Sequence, residues 1–139
     1  PLRDILLGTD GSAGSLLRSE YEPGSGVLLH MEGVPLAHRA VRAMADAVRQ
    51  LSERHGLTVD QLDAVVAHGG NGRMPALLAR RLCLPIERVW SETARFGNLG
   101  SASVPSAWSF GDHSVSRTVV WTAIGAGLQW GAALFDTPA

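Results

Sequence analysis

His68 closes a short apolar run, Leu62-Asp63-Ala64-Val65-Val66-Ala67-His68, and the stretch Gly69-Gly70-Asn71-Gly72-Arg73 follows it. A run of that length is consistent with a buried parallel strand. In open α/β sheets ligands gather beyond the carboxyl ends of the strands, so an imidazole there stands where chemistry can happen. Taken alone it is only a strand-end histidine, and a packing role stays open. Asn71 is spaced to cap the next helix. His30, His38, His55 and His113 read as surface or packing residues, because no pair has metal-ligand spacing with supporting cysteines or carboxylates; no metal site is expected. Cys83, between Leu82 and Leu84 near a helix end, reads as a buried structural thiol, since a free cysteine behaves as a small hydrophobe.

The segments that carry these residues alternate in type. Residues 2–7 are mostly apolar and run into the turn Gly8-Thr9-Asp10-Gly11-Ser12, as a strand would, and the stretch from there to Gly26 reads as loop. Ala37, Val41, Met44, Val48 and Leu51 recur at spacings of three and four, which predicts a helix over 34–55 with Gly56 as its stop. After the strand at 62–68, Met74, Leu77, Leu78 and Leu82 form the inner stripe of a helix over 73–82, with Pro75 in its first turn. Arg73, Arg80 and Arg81 fall outward or at its edge, as a solvated face or as guanidinium forks for a carboxylate or phosphate. A strand at 88–92, a turn at 96–100 and a helix over 101–110 follow, and residues 117–124 and 129–135 read as a hairpin about Gly125-Ala126-Gly127. The order predicts an α/β domain with a mixed sheet.

The composition sets limits on partners. With 139 residues the chain fits one domain, and its formal net charge of −1 does not announce nucleic acid or an anionic membrane as a partner. No apolar run approaches the ~20 residues of a membrane span. One cysteine cannot form an internal disulfide and fits a reducing cytoplasm. Starting at Pro1 with no signal-peptide pattern, the sequence reads as a piece of a longer chain or a processed one.

Four segments carry a resemblance to a known family. Ala67-His68-Gly69-Gly70-Asn71-Gly72-Arg73 resembles the His-Gln-Ala-Asn-x-Arg segment of β-ketoacyl-carrier-protein synthase III enzymes, condensing enzymes of thiolase fold. Thirty residues after His68, Phe96-Gly97-Asn98-Leu99-Gly100-Ser101-Ala102-Ser103-Val104-Pro105 is similar to their Tyr-Gly-Asn-Thr-Ser-Ala-Ala-Ser-x-Pro segment, in the family's order and separation. The stretch from Gly125 to Leu134 resembles their closing Gly-rich turn and Trp-Gly strand, and Thr9-Asp10-Gly11-Ser12 with Leu16-Leu17 their Asp-Gly-Ser segment. Together these cover nearly the whole chain but only the second half of the family's two-half fold.

The resemblance implies a thiolase-like half with αβα layers, and a C-terminal catalytic half-domain over 1–139. His68 and Asn98 would donate hydrogen bonds to the enolate oxygen formed when a malonyl thioester loses carbon dioxide. Asn71 would orient them or hold water, and the backbone N–H of Ala126 would belong to a second oxyanion site for the acyl-cysteine carbonyl. The cysteine nucleophile belongs to the family's first half, which is absent here, so this chain alone is expected to be inactive. Arg73, Arg80 and Arg81 match basic positions that face acyl carrier protein, and Gly33, otherwise a helix-start glycine, lies near the coenzyme site. No bound cofactor is implied; CoA or phosphopantetheine thioesters enter as substrates, and the complete enzyme is expected to be a cytoplasmic homodimer. Gly69-Gly70 and Leu99-Gly100 depart from the family pattern, and the loop from 111 to 117 is shorter than usual. Two alternatives therefore stay open: a secondary-metabolism acyltransferase of the same fold, or a non-catalytic thiolase-like module for carrier docking or structure.

Overall fold

The computed structural model describes residues 1–111, 113 and 117–138. Its organising element is helix α1 (Gly33–Arg54), which follows strands β1 (Leu2–Thr9), β2 (Leu17–Glu22) and β3 (Gly26–Met31). Its apolar stripe, Ala40, Val41, Met44, Val48 and Leu51, is buried, so helix formation is coupled to packing against the sheet. Gly56, at φ +67°, follows the helix in a left-handed conformation that a β-carbon would strain. Beyond it come β4 (Ala64–Ala67), α2 (Met74–Leu82), β5 (Val89–Trp90), α3 (Thr93–Phe96), α4 (Ser103–Ser109), β6 (Arg117–Gly125) and β7 (Gln129–Thr137).

Five strands form one mixed sheet in the order β1-β7-β6-β4-β5. Strand β4 pairs in parallel with β5 and β6, while β6, β7 and β1 run antiparallel in turn. All four residues of β4 are buried, as a central parallel strand covered on both faces requires. Strand side chains alternate between faces, so β4 divides its residues between two cores. Val65 and Ala67 join Met44, Leu51, Leu78 and Leu134 on the α1/α2 face. Ala64 and Val66 join Val104, Ala107 and Val119 on the α4 face, where Trp90, Trp108 and Trp121 pack at centroid separations of 5.8 and 5.9 Å. No described helix is long and apolar enough to cross a membrane.

The mixed α/β architecture and the major elements follow the sequence pattern. The stretch after β1 does not: residues read as loop form a short 3-10 helix, Gly11–Leu16, and strand β2, which pairs with β3 over residues that were assigned no element. The hairpin is mostly exposed and turns through Pro23-Gly24-Ser25-Gly26, with Gly24 and Gly26 at φ +92° and +84°. Its register puts Leu17, Tyr21, Val27, Leu29 and Met31 on one face and Arg18, Glu20 and His30 on the other. That alternation about a glycine turn was the available signal. Cys83 is a second correction: it is exposed, not buried. It ends α2 in a left-handed conformation at φ 58°, which turns Leu82 and Leu84 into the core and the thiol outward. Strand β5 is shorter than the 88–92 expected, and the 101–110 segment begins with a 3-10 turn, Gly100–Ala102, before α4. The 111–117 loop, apart from Gly111, His113 and Arg117, lies outside the described residues.

Candidate active site

His68 is the first residue beyond β4, and its N–H donates to the Thr122 carbonyl of β6 at 2.9 Å. By the period of two it continues the Ala64–Val66 face, toward α4. Asn98 lies in the turn that leads into α4 through Gly100–Ala102. The two therefore fall on one side of the sheet, because one follows the central strand and the other precedes the helix packed on that strand's face.

Both line an open cleft of about 710 Å³ whose walls include Gly100, Ala126, Leu17 and Trp130. The Ala126 turn is stapled to the end of β1: Asp10 N–H donates to the Leu128 carbonyl at 2.8 Å, and Leu128 N–H returns a bond to the Asp10 carbonyl at 3.0 Å. The Asp10 carboxylate accepts from Ser12 N–H and from Arg39 of α1 at 2.9 Å, so the Asp-Gly-Ser segment ties the turn to the helix. Hydrogen bonding by the Ser12 hydroxyl is the main cause holding the Asp10 carboxyl below its ordinary range.

The Asn98 carboxamide is oriented by its own turn. Oδ1 accepts the Gly100 N–H at 2.9 Å, so the NH2 end is the one presented to a ligand. His68 is half-buried, and burial pushes its imidazole below the ordinary 6.5, opposed by a backbone hydrogen bond with Gly100. Burial thereby favours the neutral ring. An NMR titration of His68 is expected to give a midpoint below 6.5; a midpoint at or above it would mean the ring is solvated or charge-paired. Because the unfolded imidazole binds its proton more readily, the stability linked to this group is complete above 6.5 and falls as the pH drops below it. His68→Gln is expected to flatten that part of the stability profile.

Asn71, Arg73 and Gly33 do not line this cleft. They border a groove of about 480 Å³ between α1 and α2, together with His38 and Leu77. Asn71 Oδ1 accepts the Arg73 N–H at 2.9 Å, closing the turn into α2. Arg80 and Arg81 line an adjoining groove of about 380 Å³ that shares His38 and Leu77. The expected site residues thus fall into a cleft group and an α1/α2 group.

Two glycines that depart from the family pattern, and that were assigned no role from sequence, also matter. Gly69 is buried against Ser91 and Thr93, whose hydroxyls lie 2.9 Å apart, and a β-carbon on Gly69 would fall inside the Thr93 hydroxyl. Gly100 donates its N–H to Asn98, lines the cleft together with His68 and holds φ +58°. Both lay within segments rich in glycine, but close approach and positive φ are tertiary properties.

A mixed sheet flanked by helices, with polar side chains gathered beyond its central parallel strand, defines a thiolase-like α/β half. The chain belongs to the family described as 3-oxoacyl-[acyl-carrier-protein (ACP)] synthase III C terminal, whose family model matches residues 52–137. It is 33% identical to the β-ketoacyl-[acyl-carrier-protein] synthase III of Oleidesulfovibrio alaskensis, over 96% of this chain and 45% of that protein. The crystal structure of 3-oxoacyl-(acyl carrier protein) synthase III from Pseudomonas aeruginosa superposes with a TM-score of 0.91 at 34% identity, covering 99% of this chain and 44% of that one. A priming β-ketosynthase of a polyketide biosynthetic pathway superposes with a TM-score of 0.86 at 29% identity, covering 99% of this chain and 45% of that one. The chain thus spans less than half the length of these relatives.

Proposed function

We propose that residues 1–139 are the C-terminal catalytic half of a 3-oxoacyl-ACP synthase III-like acyltransferase, with His68 and Asn98 as its enolate-stabilising donors. The observation that carries this reading is their convergence, with the Ala126 turn, on one cleft. The cysteine nucleophile belongs to an N-terminal half outside this sequence.

In the reaction, an acyl starter is held on that cysteine as a thioester. The bond between the malonyl carboxylate and its α-carbon breaks, carbon dioxide leaves, and the electron pair becomes an enolate on the carrier-bound thioester. Two neutral N–H donors aimed at its oxygen lower this barrier without a fixed charge of their own. The α-carbon then attacks the acyl-cysteine carbonyl. Its oxyanion is received by the Ala126 N–H, a role that needs no side chain, and collapse expels the cysteine thiolate and frees the 3-oxoacyl product. Asn71 supports this site by closing the turn three residues past His68.

Arg73, Arg80 and Arg81, exposed along α2, are proposed to receive acyl carrier protein, with Gly33 on the coenzyme's path between α1 and α2. CoA and phosphopantetheine thioesters are substrates, and the complete enzyme acts as a cytoplasmic homodimer.

The departures at Gly69-Gly70 and Leu99-Gly100, with the likeness to a polyketide priming enzyme, favour a second reading within the same chemistry: an acyltransferase of secondary metabolism. Assay of the protein from the complete reading frame with acyl-CoA and malonyl-carrier protein tests the proposal. Condensation product is expected from it and none from residues 1–139 alone. Product from the purified chain alone, or a complete frame without a cysteine at a helix N-terminus in its first half, would refute it.

A further inference from the structure

A main-chain donor such as the Ala126 N–H cannot be re-aimed by a change of rotamer, so its direction is set by whatever anchors the backbone around it. Residues 9–14 anchor that turn from behind. Asp10 exchanges both main-chain hydrogen bonds with Leu128, at 2.8 and 3.0 Å, and the Thr9 hydroxyl donates to the same Leu128 carbonyl at 3.1 Å. Gly14, on the 3-10 helix Gly11–Leu16, backs the Gly127 carbonyl so closely that a β-carbon there would lie 3.2 Å from its oxygen. The Asp10 carboxylate holds this 3-10 helix by accepting the Ser12 N–H at 3.1 Å and the Ser12 hydroxyl through Oδ1. Its other oxygen, Oδ2, accepts from Arg39 Nη1 at 2.9 Å. Arg39 leaves α1 just before Ala40 and Val41, which are buried in the main core, so the far end of this series of contacts is fixed by packing.

We propose that Asp10 and Arg39 are positioning residues for acyl transfer: their ion pair clamps the Ala126 turn to α1 and so fixes the N–H that receives the acyl-carbonyl oxyanion. The inference rests on the reading of Ala126 as that donor. Neither side chain lines the cleft, so both act through the turn. The turn caps the strands at Gly125 and Gln129, where the sheet's own pairing ends, and the clamp stops it rocking about those strand ends. Such a donor works by being aimed before charge appears, and a misplacement of about 1 Å costs up to about 10²-fold. In loading, the cysteine thiolate attacks the donor thioester's carbonyl carbon, the oxyanion rests on the Ala126 N–H, and its collapse expels the donor's thiolate. Condensation places charge on that same oxygen. Decarboxylation places it on a different one, the enolate oxygen that His68 and Asn98 receive, so the clamp and the two donors act on separable steps.

In the complete synthase, loading is read as acyl-enzyme formed from acyl-CoA alone in a single turnover, and decarboxylation as carbon dioxide released from malonyl-carrier protein alone. Asp10→Ala is expected to slow loading by roughly 10- to 100-fold, short of the full loss of an oxyanion donor. Arg39→Met should slow it by roughly 2- to 5-fold, because an exposed ion pair contributes little, and Arg39→Lys, which keeps the charge, should retain most of the rate. Decarboxylation should change little in all three, the inverse of what His68 and Asn98 variants should show. Unchanged loading in Asp10→Ala and Arg39→Met would overturn the clamp. If Ala126→Pro, which deletes the N–H, nonetheless loses loading, Ala126 remains the donor; if loading survives there too, the underlying reading falls with the clamp. Loading and decarboxylation lowered in equal measure in Asp10→Ala and Arg39→Met, alongside the melting temperature, would make the pair structural only and defeat the inference.

Discussion

Alanine at His68 or at Asn98 in the complete synthase is expected to lower malonyl-thioester decarboxylation by about 10²–10³-fold each, the usual cost of one oxyanion donor. In energy that is ~2.7–4 kcal/mol per donor. The loss should fall on kcat with little change in KM, because the bond to the oxygen strengthens only as charge appears. Acyl loading onto the cysteine forms no enolate and should persist in both variants. The double variant should lose less than the product of the single losses, since groups acting on one oxygen are not additive.

Asn98→Asp separates donation from shape. The carboxylate keeps the volume but offers only acceptors when ionised, and it sets a negative charge beside a forming negative charge. It is therefore expected to be slower than Asn98→Ala, and His68→Gln, which keeps an N–H, faster than His68→Ala. Decarboxylation by either alanine variant within twofold of the wild type would remove that residue from the chemistry. These comparisons need the whole enzyme, because the proposed nucleophile lies outside this chain.

The two groups of the proposed site differ in how legible they were. The burial of β4 and the burial stripe of α1 are periodicities in composition, so residues such as Val65 and Met44 announced their elements. His68 followed from its place at the strand's end, and its face follows from the alternation with Ala64 and Val66. That Asn98 stands opposite was legible only through the paired segments, because no local rule links positions thirty residues apart. The β2–β3 hairpin was missed because hardly any of its residues are buried, which leaves only its turn and alternation to betray it. Cys83 was misread because its neighbours Leu82 and Leu84 are buried, while the left-handed backbone between them points it outward. The catalytic and docking groups were separated in the sequence reading, but that Asn71 falls with the α1/α2 groove was not visible there. Asn71 is three residues from His68, yet the turn it closes belongs to α2.

Gly69→Ala should be among the most damaging single-methyl additions to this chain. Its β-carbon would fall inside the Thr93 hydroxyl and lie 2.7 Å from Ser91 Oγ and 2.8 Å from Thr93 Cβ. Thr93 opens α3, and its Cβ cannot swing away as a long side chain's tip can, so α3 or the end of β4 must shift. Overpacking of this kind costs about 1–3 kcal/mol, and for a domain of this length each kilocalorie lowers Tm by roughly 2–8 °C. Gly72→Ala is the matched control, since its β-carbon would meet nothing within 4 Å. Gly70→Ala is intermediate, because it meets Met74 Sδ at 2.8 Å, on a flexible side chain that can retreat. The double variant Gly69→Ala, Thr93→Ala should regain most of the lost stability, with a favourable coupling that a double-mutant cycle reads directly. Since Gly69 adjoins His68 and α3 precedes Asn98, Gly69→Ala should also slow decarboxylation beyond what its melting temperature explains. Equal melting of Gly69→Ala and Gly72→Ala would show that the strand end and α3 are not packed this tightly.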